Sequence, residues 1–315
     1  MRSPRNRRSR HIEAPVLCLA AVLALSSCAT RIPIARPSDP ASALPREAAV
    51  YLLAGRPILE EAAVGLLAPA DRKAVRSLLV RTDRVTAALI LPRSGADGSG
   101  TDRDAGTSGA ELFGIAEGVY PAGAAAFRLR LSREWRKEGR ILVRRDGNLR
   151  LAFAGRNLLA AGTSDLEPLL DRLADPGPHP LPGDLRPYWE APGALWIPRP
   201  GETAERILGA GAPRVPARGM LLSLGPGEAG NGYSGTWIFA FDSERDARVY
   251  APICRLAHLA FIRAVLGTGT EAAAALERTV WTAEGPLIKA SGFPLDLSSV
   301  FRALKAALPE SSQGS

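Results

Sequence analysis

The chain has 315 residues, of which 46% are hydrophobic and 23% charged, with a formal charge of +8 and three cysteines. That balance excludes a disordered chain, which needs low hydrophobicity, and three cysteines exclude a disulfide-built scaffold. The length exceeds one typical domain and is enough to bury a substantial core.

Residues 1–27 begin with Arg2, Arg5, Arg7, Arg8 and Arg10, followed by an apolar run from Pro15 to Leu25. Positive start, apolar middle and small residues form the order of a secretory signal peptide. The run is shorter than the roughly 20 apolar residues that span a bilayer, so it reads as a signal core and the mature chain is expected to have no transmembrane helix. Ser9, Arg10 and His11 follow Arg7-Arg8 where twin-arginine export needs apolar residues, which favours the general secretory route. The quartet Leu25-Ser26-Ser27-Cys28 closes the run and resembles the lipobox of bacterial lipoprotein precursors. The resemblance implies that Cys28 becomes the acylated first residue, carrying a diacylglyceryl thioether and an amide-linked chain. It places the protein in the cell envelope, outside the cytoplasm, and Ala29 resembles lipoproteins of the outer rather than the inner membrane. It covers about the first 30 residues and brings no activity with it.

Residues 28–46, rich in Pro, Ala and Ser, read as an extended tether, which spans up to ~3.1 Å per residue. Loss of residues 1–27 removes five arginines and Glu13, so the mature part is only mildly basic. Cys18 leaves with the leader. Cys254, among Ile253, Leu256 and Ala257, is expected to be buried.

The first half, 47–174, predicts a strand at 50–53, a helix at 58–67, and strands at 85–91 and 111–119 around a loop at 93–109. A longer helical stretch follows, although 127–131 alternates like a strand. Next come a hairpin at 141–153, turning at Asp146-Gly147, and a closing helix with Leu166, Leu169, Leu170 and Leu173 at i, i+3, i+4 and i+7. Ser164 and Glu167 match a capping box at its start. The stretch 175–193 holds six prolines and reads as the linker between halves. The second half, 194–309, predicts elements in the same order at 194–197, 202–208, 220–224 and 233–241. A long helix starts at Ser243, with a kink or break expected at Pro252. The hairpin 279–290, turning at Glu284-Gly285, follows, then a closing helix carrying Leu297, Val300, Phe301 and Leu304, capped by Asp296 or Ser298. Residues 310–315 form a tail.

Eight elements in matched order predict an internal duplication. The fold class is therefore α+β: two tandem copies of a βαββαβ-containing unit resembling the ferredoxin-like arrangement, each an antiparallel sheet with helices on one face.

Catalytic signatures are sparse. His179 lies in the Pro-rich linker and His258 in the long helix, neither with ligand-spaced neighbours, so no metal and no cofactor is expected. No G-x-S-x-G, G-x-x-x-x-G-K-[ST] or H-E-x-x-H occurs. Gly225, Gly227 and Gly230 satisfy G-x-G-x-x-G, but Pro226 lacks an amide and a strand rather than a helix follows, so a hairpin loop is expected. Adjacent Glu60 and Glu61 point about 100° apart on a helix and cannot flank one bond. The most marked local feature is charge: between Arg128 and Arg156 stand nine arginines and Lys137 against Glu134, Glu138 and Asp146. Arg128, Arg130, Arg133, Arg136, Lys137 and Arg140 are candidate contacts to an anionic surface, where each basic residue contributes about 1 kcal/mol. Nucleic acid is not an expected partner for an envelope protein.

The function class that fits best is a non-catalytic, envelope-anchored module for protein interaction or assembly, attached to the membrane by its lipid. A tethered carrier of a small or apolar ligand, held in a groove between the halves, is the second class. An enzyme with dispersed carboxylates is the third.

Overall fold

The computed structural model describes residues 39–67, 72, 76, 78–92, 109–208, 216–227 and 232–301. In chain order these form β1 (Val50–Gly55), α1 (Arg56–Leu66), β2 (Thr82–Ile90), β3 (Glu111–Gly118), α2 (Ala122–Leu131), β4 (Trp135–Glu138), β5 (Ile141–Arg144), β6 (Arg150–Phe153), β7 (Leu158–Gly162), α3 (Glu167–Ala174), α4 (Arg186–Trp189), β8 (Gly193–Pro198), α5 (Pro200–Leu208), β9 (Gly219–Pro226), β10 (Tyr233–Ala240), α6 (Glu244–Leu266), α7 (Thr270–Arg278), β11 (Val280–Glu284) and β12 (Leu287–Leu295). Two 3-10 turns, Pro40–Ala43 and Gly183–Leu185, and a further helix that opens at Leu297 accompany them.

The described strands make one antiparallel sheet in the order β11-β12-β10-β9-β8-β1-β2-β3-β7-β6-β5-β4. The class is α+β. The halves meet at the centre, where β1 pairs with β8 on one side and β2 on the other, with Tyr51 opposite Trp196 and Ala88. A ferredoxin-like unit is a split arrangement in which another strand separates the strands that a helix joins. Here β1 and β2, joined by α1, are direct antiparallel neighbours, so the expected ferredoxin-like order is not formed, and the two halves join edge to edge in one antiparallel sheet. The pairing of β1 with β8 explains why the halves do not stand apart: each would otherwise leave an open edge.

Period-two alternation sorts the side chains onto two faces. One face carries Tyr51, Leu53, Ile115, Ala160, Trp196, Leu221 and Ile238 in a single core that crosses both halves. It is covered by the turn at Pro40–Ala43, by α3 through Leu169, Leu170 and Leu173, and by Leu181, Leu185 and Trp189. Burying each of these leucines contributes roughly 1.5–3 kcal/mol. The stretch 175–193 is therefore a packed strap rather than a free linker, because its apolar residues recur every four positions between the prolines. Likewise the chain is already in the core from Ala41, Ala43 and Leu44, so 39–46 is not tether. Arg172 ties α3 to this turn, donating from Nε to the Ala43 carbonyl at 2.7 Å.

The opposite face holds two smaller cores. In the first half Leu129 of α2 packs with Tyr120, Trp135, Leu142, Leu151 and Leu159. In the second half α1, α6 and α7 cover Leu222, Trp237, Phe239, Ala290 and Phe293. Helices thus lie on both faces, not on one.

Several local expectations need correction. Residues 127–131 end the helix α2 rather than alternate in a strand. Pro252 does not break α6, which runs on through it, and it is exposed, so solvent can hydrate the carbonyl that its missing N–H leaves free. Ser164 makes no cap on α3; Asp165 accepts the Glu167 amide at 3.2 Å instead. The cap expected at Asp296 does form: its carboxylate accepts the amides of Ser298 and Ser299 at 3.1 and 3.0 Å, at the start of the helix that opens at Leu297.

Candidate functional site

The 23-residue helix α6 begins at an N-cap where Ser243 Oγ accepts the Asp246 amide at 3.1 Å, and it ends at Gly267, whose φ of 78° suits glycine. Ala247, Cys254, His258 and Ile262 face the sheet and are buried. On the opposite side Val249, Ile253, Leu256 and Ala260, at i, i+4, i+7 and i+11, form a second apolar stripe. Its three larger members are 61, 41 and 64% exposed. A surface helix ordinarily carries one apolar stripe, and α6 carries two. Its most apolar 18-residue window has a mean hydropathy of 1.5 and is only 17% buried, so by length and composition α6 could cross a membrane. Arg245, Arg248, Arg255 and Arg263 along it, and its packing on the sheet, fit a helix lying on a surface better than one spanning.

The same face of the sheet exposes further apolar groups. Phe127 and Leu131, one turn apart on α2, are 60 and 69% exposed. Between α2 and α6 the central strands present Leu52 and Leu112 at 44 and 48%. No sequence pattern marked these positions as exposed, because apolar helical spacing reads equally as core; only the fold shows that α6 has apolar residues on both sides.

The candidate basic residues are divided by the fold. Arg130 lies in the last turn of α2, while Arg133, Arg136, Lys137 and Arg140 lie on or beside β4 at the edge of the sheet, and all five are exposed. Arg136 pairs with Glu138 at 2.6 Å, and Arg140 with Glu167 at 2.6 Å and with Asp171. These acids hold the Arg140 guanidinium above its ordinary pKa, Asp171 first and Glu167 second. Cys28 and the side chain of Arg128 lie outside the described residues.

Other titratable groups are structural in their surroundings. His258 is 1% exposed, with Nε2 3.1 Å from Thr279 Oγ1 and its ring edge-on to Trp281 and Phe293. Burial lowers its pKa to about 4. The Cys254 thiol, also buried, is pushed up to about 12 by loss of solvent. Gly225 lies in β9, which pairs with β10, so a strand and not a helix follows the glycines, as expected, while Gly230 lies outside the described residues. An open cleft of about 630 Å³ at the end of β8 and β9 is lined by Arg199, Glu202, Glu205, Arg218 and Asp242, with Arg199 on Glu202 at 3.2 Å and Arg218 on Asp184 at 2.5 Å. Among the described residues, no group of three or more His, Cys, Asp or Glu is placed to hold a metal.

No protein-family model and no curated protein matches this chain. Solved structures do. The chain is similar to TP0453 in its crystal form IV, with a TM-score of 0.56 at 16% identity over 84% of this chain and 96% of that one. Crystal form III of TP0453 gives 0.55 at 15% identity, over 85% and 98%. At such identity the likeness establishes a shared fold, an α+β chain built on a large antiparallel sheet, over 84–85% of this chain and nearly the whole of that one.

Proposed function

We propose that this is a lipid-anchored, non-catalytic envelope protein that docks on a bilayer surface through the outer stripe of α6 and the exposed end of α2. The supporting observation is the second apolar stripe of α6, since a soluble helix gains nothing from exposing Val249, Ile253 and Leu256. The leader and Cys28 supply the anchor in this reading, with residues 29–38 as tether; ten residues reach roughly 30 Å at most. Arg130, Arg133 and Lys137, near Phe127 and Leu131, would add an attraction to anionic headgroups that salt weakens. Held there, the module serves an interaction or assembly role and needs no cofactor.

Two halves built alike are part of the proposal. Outward from the centre the strands run β1-β2-β3-β7-β6 on one side and β8-β9-β10-β12-β11 on the other, with α1 and α5, then α2 and α6, in matching places. Duplication of one α+β unit accounts for that order, with the β4–β5 strands an addition to the first half and α7 to the second.

The test is flotation of the full-length chain, with Cys28→Ser to remove the acyl chains, on vesicles of mixed neutral and anionic lipid. Binding is expected, and Ile253→Asp with Leu256→Asp should abolish it while leaving the thermal transition in place. Undiminished flotation of the double variant defeats the reading. A carrier role is the second reading, favoured by Leu52 and Leu112 half-exposed between α2 and α6; lipid co-purifying at a fixed stoichiometry in detergent-free preparations would support it.

A further inference from the structure

The sheet has two outer strands, and they are built differently. On β4, Trp135 is buried while Arg136, Lys137 and Glu138 stand exposed, which blunts the edge against another strand. On β11 the exposed residues are Val280, Thr282, Ala283 and Glu284, with Trp281 partly covered, so a single charge guards an otherwise neutral edge. The turn lies at Gly285-Pro286, one residue later than the expected Glu284-Gly285 because Glu284 is still paired with Leu287, and Gly285 takes φ 56° there. A two-residue hairpin makes that pair hydrogen-bonded. By alternation, residues 284, 282 and 280 then turn their backbone groups to β12, and 281 and 283 turn theirs outward. Ser291 Oγ lies 3.5 Å from the Val280 carbonyl, in accord with this parity. Among the described residues no backbone group meets the outward amides of Trp281 and Ala283.

We infer that β11 is a self-association edge, where a second copy of this chain adds its own β11 antiparallel across a two-fold axis at Trp281. Charge selects this register. Centred on Trp281, it sets Arg278 at the end of α7 opposite Glu284 of the second copy, twice over, and Val280 opposite Thr282. Centred on Thr282, it would set Val280 against Glu284 and leave Arg278 without an acid. Arg278 is exposed, and Glu284, 60% exposed, already reaches Lys289 at 2.5 Å with one oxygen, which leaves the other to accept an arginine. Trp281 is held in place by the Arg255 guanidinium 5.7 Å over its ring and by the edge of His258, so the residue on the axis is fixed before association. A two-fold interface of this kind is self-complementary and closes.

The test uses two differently tagged full-length chains expressed together, one Val280→Cys and the other Thr282→Cys. Facing positions on such strands bring Cα atoms within disulfide range, so mild oxidation should link the two tags, and should link neither tag to itself as well. Ala283→Pro in both chains removes an outward amide without touching the β12 ladder and should abolish the product. Arg278→Glu should weaken it, and Arg278→Glu with Glu284→Arg should restore it, which keeps the test valid even if the proline variant fails to fold. Absence of the mixed product, its persistence with Ala283→Pro in a folded chain, dominance of the Thr282→Cys homodimer, or capture of a different polypeptide by Val280→Cys would each overturn the inference.

Discussion

His179 stands against Asp39, its Nε2 2.8 Å from the carboxylate, while its Nδ1 accepts the Leu181 amide at 2.9 Å. Because Nδ1 accepts from the Leu181 amide, Nε2 is the nitrogen that donates to Asp39. The contact fastens the segment that follows the proposed tether to the strap across the sheet. Asp39 is also the N-cap of the turn Pro40–Ala43, accepting the Ala41 amide at 2.9 Å. Burial by itself would raise the Asp39 carboxyl, but the His179 hydrogen bond, the Ala41 amide and nearby positive charge outweigh it and leave it below its ordinary 3.8. Its contribution is thus complete above that value and is lost as pH falls through the lower folded one. Asp39→Ala should cost about 1 kcal/mol in urea unfolding at neutral pH, the usual worth of such a cap, and should flatten the acid end of the stability profile. An unchanged profile below pH 4 would show that the contact is not formed in solution.

His258 sets a different pH window. Its ring is enclosed by Thr279, Trp281 and Phe293, with Nδ1 buried and without a hydrogen-bond partner. An unfolded histidine takes its proton near 6.5, and the folded one waits until about 4. Between those values the unfolded chain binds the extra proton, so stability should fall as pH drops, by roughly 3 kcal/mol across the window. His258→Leu removes both the titration and the orphaned nitrogen, and its denaturation midpoint should vary much less between pH 6.5 and 4. A variant that keeps the wild-type slope would assign the effect elsewhere.

The limits of reading the chain alone follow from which signals are local. Strands 50–53, 85–91, 111–119, 194–197, 220–224 and 233–241 each lie within or close to an observed strand, because alternation and turn residues are written into short windows. β4 and β7 were missed for opposite reasons: Trp-Arg-Lys-Glu is mostly charged, since it forms an edge, and Leu-Leu-Ala-Ala-Gly has no alternation, since both of its faces are covered. Strand partners are not local at all. Nothing in Val50–Gly55 says that it will pair with Gly193–Pro198, which depends on two halves each lacking a neighbour. The candidate surface was half legible: the basic residues of 128–140 could be counted, but the pairing of Arg136 and Arg140 with Glu138, Glu167 and Asp171, and the outward turn of Val249, Ile253 and Leu256, needed the fold.

Cys254 offers a probe of α6. Its thiol is 1% exposed, and burial pushes its pKa up to about 12, so at pH 8 almost none is thiolate, the reactive form. Maleimide should leave the Cys254 peptide unmodified in the native protein and label it in proportion to the unfolded fraction as urea is added. Labelling well below the unfolding midpoint would mean that α6 lifts from the sheet on its own, as a locally stable unit.

Trp196 lies across Gly219, and the sheet centre depends on that gap. A Cβ at Gly219 would fall 1.7 Å from the Trp196 ring, and one at Gly235 would fall 2.2 Å from Phe293. Each glycine sits where an aromatic ring on a paired strand covers bare backbone, a known way of shielding glycine within a sheet. Trp196 is 1% exposed and enclosed by the core shared between halves, so it has nowhere to move. Gly219→Ala should therefore cost at least the 1–3 kcal/mol typical of overpacking, about 2 kcal/mol as a working figure, read from the thermal transition. Trp196→Leu alone should also destabilise, by opening a cavity, yet the double variant should lose less than the sum, because the smaller side chain makes room for the methyl group. Additive losses would mean that the ring and the glycine do not share that space.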